Sequence, residues 1–573
     1  MRMKRPHGPR APSLILAGVI VAGLSACGGQ GTEATSEAMS QAASPAATPL
    51  ASTGQVAATT SFKVSQYAAS RFADQVSFGA TPALVQEIRS KGFEKWLDDQ
   101  FALPLTPINP APVEVYPTEQ NPPSSYWNYL PDTFMHRVVV APDQLRQRVL
   151  WSLSQWVVAA TTKGEPAGWV YWVNTLERNA FGNYRNLLRE ASTNPHMAHY
   201  LDNDQNRPKS DECQHCAPNE NYARELMQLF SLGVVKLNSD GTTVRDARGR
   251  PVETYTQRDV EELARVLTGW THDPDPPNRP NRNWGNWSRP MVPSTWPPER
   301  DAGAKSVLGK FFPAGQAATR DLEDTLDLLM SHQNIAPFVA LRMIQHLVKS
   351  DPTPAYVGRV ASAFRNNGQA VAGDMKAVVK AVLLDPEARA ADDPAKPQNG
   401  GKFREPMLHR TAVLRGLGCG RWLAWPDGNL QSPSDQRPFA SSSVFSFYAP
   451  TDRAPGSNLL APEQKLASAR ELTARLGELQ WVRWTPKVNA NTMDAYRTAR
   501  CDIDRFTQAY ARSPKEFIDL LSERWFRGAM PPTLRSNIEQ QIRKPTWDTS
   551  SPDEGTVRML MFAVSSPYFG AVK

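Results

Sequence analysis

Four side chains capable of acid–base or ionic chemistry stand close together in one short stretch of the chain. Glu220, Asn221, Arg224 and Glu225 alternate there with apolar residues at helical spacing. Residues four apart share a face of a helix, so Glu220 can pair with Arg224 and Asn221 with Glu225. The two glutamates are five apart and diverge by roughly 140° around a helix of about 3.6 residues per turn. They therefore do not form a glycosidase carboxylate pair on their own.

This stretch supports two interpretations. In the first, Glu220 and Glu225 are catalytic carboxyl groups, and Asn221 and Arg224 bind the ligand. In the second, the same groups are buried ion pairs that hold helices together. Arg148, on an upstream predicted helix, lies next to an apolar line and could reach either glutamate. A fixed guanidinium–carboxylate contact suits anion recognition and plain architecture equally well.

A second polar set contains histidine and cysteine and resembles a metal cluster at first sight. Its members are His196, His199, Asp202, Cys213, His215 and Cys216. Their spacing matches no zinc motif, and a local Cys213–Cys216 disulfide is the better account in an oxidising compartment. Cys419 and Cys501 would then form a second, long-range disulfide. The sequence predicts no metal site and identifies no cofactor.

Several common catalytic signatures are absent from the chain. It contains no G-x-S-x-G elbow, no H-E-x-x-H helix, no Walker loop and no dinucleotide-binding glycine fingerprint. These absences argue against the usual serine hydrolase, zincin, P-loop and Rossmann classes.

The elements that must position these residues are mostly helices. Asn219 is a candidate N-cap for the helix that carries the four polar residues, and Gly233 stands where a C-terminal glycine is expected. Thr256 and Asp259 form a capping box that opens the next helix, which ends near Gly269. Apolar spacing predicts further helices at 62–76, 83–101, 143–160, 184–192, 321–331, 336–349, 355–366, 374–384, 405–417, 462–476, 514–526, 532–542 and 554–565.

Two segments depart from this helical pattern. Residues 234–255 contain short β-prone runs around the turn Asn238-Ser239-Asp240-Gly241, which predicts a small β-hairpin excursion. Residues 271–304 are rich in proline and contain Trp284, Trp287 and Trp296 without periodicity. A loop of this length is usually functional or disordered, and so much tryptophan favours an ordered, functional loop. With Trp270, it could cover a polymer-binding pocket.

The N-terminus has the three-part form of a bacterial lipoprotein signal. A basic start precedes an apolar run that is short for a membrane span, and Leu24-Ser25-Ala26-Cys27 resembles a lipobox. We expect residues 1–26 to be the signal peptide and Cys27 to be the lipidated N-terminus. Residues 27–61 are small and polar and form a flexible tether. Residues 62–573 then form one large helical domain, or two packed subdomains with a boundary near 305–320.

Composition narrows the class of protein further. The chain of 573 residues carries a formal net charge of +7, of which four positive charges lie in the predicted signal. The mature chain is therefore close to neutral, which argues against a nucleic-acid binder. The absence of an aspartate after Cys27 favours a location at the outer membrane, either on its periplasmic side or exposed at the cell surface.

Many short motifs of this chain resemble one bacterial family of unknown function, the family numbered eighteen hundred. They include Ser77-Phe78-Gly79-Ala80-Thr81-Pro82, Leu145-Arg146-Gln147-Arg148-Val149, Phe181-Gly182-Asn183-Tyr184-Arg185-Asn186-Leu187-Leu188, Asn194-Pro195-His196-Met197-Ala198-His199-Tyr200-Leu201, the stretch 218–233, Ala264-Arg265-Val266-Leu267-Thr268-Gly269-Trp270, Lys402-Phe403-Arg404-Glu405-Pro406 and Ser443-Val444-Phe445-Ser446-Phe447-Tyr448. The resemblance covers nearly the whole body. It implies a secreted, mostly helical protein, often found beside a sulfatase-like partner, and supplies no catalytic residues.

These observations lead to two expectations of function. The first is an enzyme that acts on an extracytoplasmic polymer such as a glycan. Its pocket would be lined by Glu220, Asn221, Arg224 and Glu225, with Arg148 and the tryptophans Trp270, Trp284 and Trp287 nearby. The second is a non-catalytic lipoprotein that holds a partner enzyme or a polymer at the membrane through its lipid anchor.

Overall fold

The computed structural model describes residues 62–114, 123–204, 206–273, 286–396, 400–420, 436–478, 501, 503–544 and 552–572. The predicted signal, the tether and Trp284 lie outside the described residues. The part of the chain from Ser61 to Lys573 forms a single compact unit. The prediction of a mostly helical protein is confirmed, because the described residues form helices joined by only small two-stranded sheets.

The N-terminal half of the described chain contains eleven α-helices. They are α1 Gln66–Val76, α2 Pro82–Lys91, α3 Phe93–Ala102, α4 Ala111–Glu114, α5 Ser124–Val140, α6 Gln144–Ser154, α7 Pro166–Asn179, α8 Tyr184–Ser192, α9 Pro195–Tyr200, α10 Glu220–Gln228 and α11 Gln257–Val266. Several begin at the caps that the sequence indicates. Asn219 accepts a hydrogen bond from the backbone of Asn221, and Thr256 and Asp259 form the predicted capping box.

The C-terminal half adds eleven more in its described part. They are α12 Ala318–Ser331, α13 Ile335–Leu347, α14 Pro354–Arg365, α15 Met375–Leu384, α16 Pro386–Arg389, α17 Pro406–Gly416, α18 Ala469–Glu478, α19 Asp504–Arg512, α20 Pro514–Trp525, α21 Pro532–Arg543 and α22 Pro552–Val564. Three 3-10 turns, at Pro297–Glu299, Ala390–Asp392 and Pro462–Leu466, join them. No helix of the described chain has the length and the apolar content needed to cross a bilayer.

The predicted and observed bounds differ most clearly for three helices. The helix predicted at 83–101 is two helices, because Gly92 adopts a φ of 79° and its N–H closes the end of α2. A positive φ at glycine ends a helix without steric strain. The helix predicted at 143–160 ends at Ser154. The one predicted at 462–476 is a 3-10 turn followed by α18.

Six helices of the structure were not predicted from the sequence. They are α4, α5, α7, α9, α16 and α19. Helix α5 contains Pro131 in its interior, and a proline there normally argues against a helix. Helix α7 is buried on almost every side, so it has no polar face to produce a helical period.

Every residue of α6 is buried, and this helix lies in the interior against α3, α7 and α13. Its apolar residues Leu145, Val149 and Leu153 are completely inaccessible to water. Burial of one such side chain contributes about 1.5–3 kcal/mol of stability. The polar residues of α6 are therefore buried with it, which matters for Arg148 below.

Short β-structure occurs in four places. Strand β1, Trp270–Thr271, pairs with β2, Val292–Pro293, and β3, Lys305–Val307, pairs with β4, Lys310–Phe312. Strand β5, Lys402–Phe403, pairs with β6, Ala571–Val572, so the C-terminal end is bound to the middle of the chain. Residues 234–255 form the predicted excursion through isolated bridges at Val235–Glu253, Leu237–Thr243 and Arg245–Pro251.

Two disulfides are present, as the cysteine count predicts. Cys213 is bonded to Cys216, and Cys419 is bonded to Cys501 across 82 positions of sequence. The second bond joins the end of α17 to the segment before α19. By restricting the unfolded chain, a long-range disulfide stabilises a fold more than a local one does.

Candidate functional site

Helix α10 carries the polar residues that the sequence singles out, and it separates them by burial. Its inner face consists of Tyr222, Ala223, Leu226 and Met227, which pack in the core. This packing fixes the rotation of the helix about its axis. Glu220, Asn221 and Arg224 consequently face outward, whereas Glu225 lies at the edge of the buried face.

The first glutamate of the helix belongs to a surface network. The Glu220 carboxylate accepts a hydrogen bond of 2.7 Å from Arg224 and one of 2.9 Å from the Gln257 amide. Arg224 also donates to the Gln257 carbonyl oxygen at 3.0 Å. The side chains of Glu220 and Arg224 remain 35% and 38% exposed. The network joins α10 to the start of α11, and its partners are satisfied within it.

The second glutamate is in a different situation. Glu225 is only 6% exposed, and its Oε2 atom is buried without a hydrogen-bond partner. Burial raises the pKa of Glu225 to about 7, and the charge of Arg224 offsets only part of this effect. A carboxyl group with a pKa near 7 can carry a proton at neutral pH and release it during a reaction.

Two tyrosines lie close enough to Glu225 to interact with it electrostatically. Burial and the charge of Glu225 both raise the pKa of Tyr200. Burial raises the pKa of Tyr255 to about 12, where Arg224 and Glu225 act in opposite directions. Both phenols therefore remain protonated at neutral pH and can donate hydrogen bonds beside the carboxyl group.

A hydrogen bond connects α10 to the turn after α9. The Asn221 amide donates to the Asp202 carboxylate at 3.1 Å, and Lys163 lies 3.4 Å from the same carboxylate. Asn221 is one turn before Glu225 on α10, so Asp202 contacts the helix one turn away from the buried glutamate. Asp202 has a φ of 57°, a left-handed conformation in which aspartate is tolerated better than most residues.

Two histidines flank a second aspartate near this turn. The Asp204 carboxylate is 2.9 Å from Nδ1 of His199 and 3.8 Å from Nε2 of His272. Burial opposes ionisation of Asp204, but its contacts with His199 and His272 outweigh burial and hold its pKa below the usual value. Trp287 meets both imidazole rings edge-on, with ring centres 5.3 Å and 5.0 Å away.

His196 lies behind this group and is completely buried. Burial lowers the pKa of His196 to about 3, so the ring is neutral at physiological pH. Two glycines make the close packing around it feasible. A side chain at Gly164 would approach His196 Nδ1 to 3.1 Å, and one at Gly168 would approach the Trp287 ring to 2.9 Å.

Arg148 does not belong to this region. Its side chain is buried on the other side of α6, where it donates to the backbone oxygen of His346 at 2.6 Å and faces Glu405. Lys402 pairs with the same Glu405 at 2.9 Å. The prediction that Arg148 reaches a glutamate of the 218–230 stretch is therefore wrong. The packing of α6 among its neighbouring helices places Arg148 in a separate buried ionic cluster.

The tryptophans are distributed over several environments. Trp270 is buried in the core on β1, and Trp287 is 3% exposed against the histidines. Trp284 lies outside the described residues, so its role stays a prediction. Trp296 is 44% exposed. Buried on this scale, Trp270 and Trp287 support the site from within and do not offer an open face for stacking.

The predicted local disulfide also accounts for the only metal-like group found among the described residues. The ligand atoms of Cys213, His215 and Cys216 lie within 4.8 Å of one another. Zinc binds cysteine as a free thiolate. Since the two sulfurs are bonded to each other, this group has no thiolate to offer.

The sequence suggests the α10 residues but misses those that surround them. The sequence gives no reason to select four of these as site residues, namely Asp204, Tyr200, Lys163 and His272. They come from three segments of the chain, and no local pattern links these segments. The one available signal is the polar density of the stretch 196–204, where two histidines and two aspartates fall within nine positions.

The fold and the site define a large, mostly helical protein, held by two disulfides, with a buried glutamate beside a histidine–aspartate cluster. A family model described as "Protein of unknown function (DUF1800)" matches residues 71–571. The chain therefore belongs to this family. No curated protein and no solved structure matches it.

Proposed function

We propose that this protein is a hydrolytic enzyme that acts on an extracytoplasmic polymer such as a glycan, with Glu225 as the proton donor and Asp202 as the second carboxylate. One observation carries the proposal. Glu225 is a buried carboxyl group with an unpaired oxygen, and Tyr200 and Tyr255 from two other segments lie close enough to interact with it. The contact between Asn221 and Asp202 lies one turn away along α10. Buried polar atoms without partners are uncommon in folded proteins and ask for an explanation.

The chemistry would divide between the two carboxyl groups. Glu225, protonated at neutral pH, would donate its proton to the oxygen of the bond that breaks. The Asp202 carboxylate, held by Asn221 and Lys163, would stabilise the positive charge that develops on the sugar carbon. Protonation of the leaving oxygen and stabilisation of that charge would break the glycosidic bond. Attack of a water molecule on the sugar carbon, with its proton passing to Glu225, would then complete the hydrolysis. Glu220 has no part in this scheme, since Arg224 and Gln257 already occupy its carboxylate.

The test is turnover of polysaccharide and peptidoglycan fragments by the purified chain, with product and binding both measured. Glu225→Gln should lose turnover by about 10²–10⁴-fold while its circular dichroism spectrum is unchanged. Glu220→Gln is the matched control and should retain turnover. Turnover should also decline above about pH 7, as Glu225 loses its proton. Full activity of Glu225→Gln, with its fold intact, would remove the proposal.

A second candidate has one observation in its favour. Glu220, Arg224 and Gln257 satisfy one another, which suits a structural role for the outer face of α10. On this alternative the protein is a binding or assembly lipoprotein that holds a polymer or a sulfatase-like partner at the membrane. Binding of a fragment without product, unchanged in Glu225→Gln, would favour it over the enzyme.

The proposed location is the outer membrane. A lipid anchor on Cys27 would hold the folded domain on the periplasmic side or at the cell surface. The support is the lipobox-like Leu24-Ser25-Ala26-Cys27 after a basic start and a short apolar run. Cells grown with an alkyne-tagged fatty acid should label the wild-type chain and not Cys27→Ser. Equal labelling of both chains would contradict lipidation at this cysteine.

A further inference from the structure

A cavity of about 210 Å³ opens near the C-terminal end of the chain, away from α10. It lies between α1, the β5–β6 sheet and the turn that follows α20. Its wall includes Tyr67, Arg404, Arg527, Tyr568 and Phe569. The sheet fixes this wall, because the backbone N–H of Arg404 donates to Gly570 at 2.7 Å. Tyr568 is 47% exposed, so the cavity can be reached from the solvent.

The charge of this cavity is positive. Arg404 and Arg527 both line it, and no carboxylate of the described residues does. Asp74, behind the wall, is 3.2 Å from Arg404 and 3.0 Å from Arg527. Burial opposes the ionisation of Asp74, but the two guanidinium groups outweigh it and keep its pKa low. One carboxylate therefore faces two guanidinium groups, which leaves a net positive charge on the three.

Two further arginines share one carboxylate nearby. Arg71 binds Asp392 at 2.9 Å, and Arg389 lies 3.3 Å from the same carboxylate. Asp392 is thus shared between two arginines, as Asp74 is. A buried excess of positive charge is unfavourable unless an anion compensates it.

Arg527 combines a constrained backbone with an incompletely paired guanidinium group. Its Nε is buried without a hydrogen-bond partner, while its Nη2 binds Asp74. Its φ is 61°, a left-handed conformation that is rare for residues other than glycine, asparagine and aspartate. Strained conformations of this kind are concentrated at binding and catalytic sites. Here the backbone conformation helps to hold a guanidinium group, with one donor unused, at the cavity wall.

The rest of the wall is aromatic and aliphatic. Phe569 packs under Arg404, with the guanidinium carbon 4.4 Å from the ring centre, and Tyr67 lies 5.9 Å from Arg527 in the same way. Trp525, Phe526 and Tyr568 also line the cavity, together with proline and alanine residues. Aromatic faces bind flat or ring-shaped bodies, and arginines bind carboxylate or phosphate groups.

The volume limits the size of the occupant. One water molecule occupies about 30 Å³ in the liquid, so the cavity holds roughly seven waters or one substituted six-membered ring. Two voids of about 10 Å³ each lie deeper, beside Asp74, and are too small for a ring. A longer ligand would have to extend outward past Tyr568.

We propose that this cavity is a binding site for a small anion that carries a carboxylate or phosphate group on a single ring. The anionic group would contact Arg404 and Arg527, and the ring would lie against the aromatic wall. The site is separate from α10, and the inference does not depend on the proposed hydrolytic activity.

Calorimetric titration of the purified full-length chain tests the proposal, with glucuronate, glucose 6-phosphate, glucose and inorganic phosphate as probes. We expect at least one of the two ring anions to bind, and to bind about tenfold or more tightly than neutral glucose or phosphate alone. The ratio between glucuronate and glucose 6-phosphate separates a carboxylate site from a phosphate site. Absence of binding by both ring anions, or equal binding of glucose, would overturn the proposal.

Variants locate the binding. Arg527→Met should weaken the tighter ring anion by about tenfold to a hundredfold. Arg535→Met is the matched control, because Arg535 pairs with Asp519 at the surface of α21, and it should bind like the wild type. Tyr568→Ala should weaken binding without lowering the melting temperature, which keeps the test decisive if Arg527→Met fails to fold. Unchanged affinity in Tyr568→Ala and in a folded Arg527→Met would refute the location.

Discussion

The buried carboxyl group of Glu225 makes the stability of this protein depend on pH in a way that one substitution should remove. The pKa of this group rises from 4.5 in the unfolded chain to about 7 in the folded protein. Between these two values the unfolded chain has released the proton and the folded protein retains it. Stability associated with Glu225 is therefore fully present below about pH 4.5 and is lost as the pH rises through about 7.

The magnitude follows from the distance between the two pKa values. Each pH unit between them corresponds to about 1.4 kcal/mol, so a fully buried group would lose about 3 kcal/mol across the window. The carboxyl group retains some access to water, and we therefore expect a loss of about 2 kcal/mol. Glu225→Gln has nearly the same shape and does not ionise, so its stability should lack this component. A constant change in packing or hydrogen bonding cancels when the same variant is compared at two pH values.

The assay is urea denaturation of the wild type, Glu225→Gln and the surface control Glu220→Gln at pH 5 and pH 8. The free energy of unfolding of the wild type should fall between these pH values by about 2 kcal/mol more than that of Glu225→Gln. Glu220→Gln should change in parallel with the wild type. A Glu225→Gln protein whose stability also follows the wild type would show that the carboxyl group is not protonated in the folded state.

Three further changes should have measurable effects on stability. Gly168→Ala forces a methyl group to 2.9 Å from the Trp287 ring and should destabilise the protein by about 1–3 kcal/mol in thermal denaturation. The control is Gly358→Ala, in another helix, where the nearest atom would be 3.6 Å from the new methyl group. This variant should be neutral or stabilising. Cys419→Ser removes the long-range disulfide and should lower the free energy of unfolding by about 2–5 kcal/mol, with no further loss when reductant is added to break that bond. Burial raises the pKa of Asp132 to about 6, so Asp132→Asn should reduce the loss of stability between about pH 4 and 6, measured by urea denaturation, by about 1 kcal/mol. Each prediction has an outcome that would contradict it. These outcomes are equal melting temperatures for the two glycine variants, unchanged stability of Cys419→Ser, and an unaltered pH profile in Asp132→Asn.

Local signals predict much of the helical fold. The caps at Asn219 and Thr256 are confirmed, because a side-chain oxygen three or fewer residues from a free backbone N–H acts over a distance that the sequence itself defines. The helices α5 and α7 are missed for the opposite reason. Helix α5 contains Pro131, and α7 is buried nearly all round, so neither shows the local pattern of a half-exposed helix.

The same distinction applies to the candidate site. The helical spacing of Glu220 and Arg224 predicts their ion pair, which the structure contains at 2.7 Å. The contacts of Asp204 join residues at very different separations in the sequence. His199 is five positions away, whereas the contact with His272 requires β1 to return the chain to the end of α9. The sequence places Arg148 in the wrong cluster, because the position of a residue along a helix does not determine which neighbouring segment its side chain contacts.

The sequence by itself determined the helical class, the cap positions and the family, since each depends on residue type or on short spacing. Only the tertiary structure decided which of two nearby glutamates is buried and which is paired, and it alone formed the cavity between Arg404 and Arg527. Burial, and the pKa that follows from it, depends on every segment packed around a residue. Such segments come from distant parts of the chain, and their arrangement is a property of the whole fold.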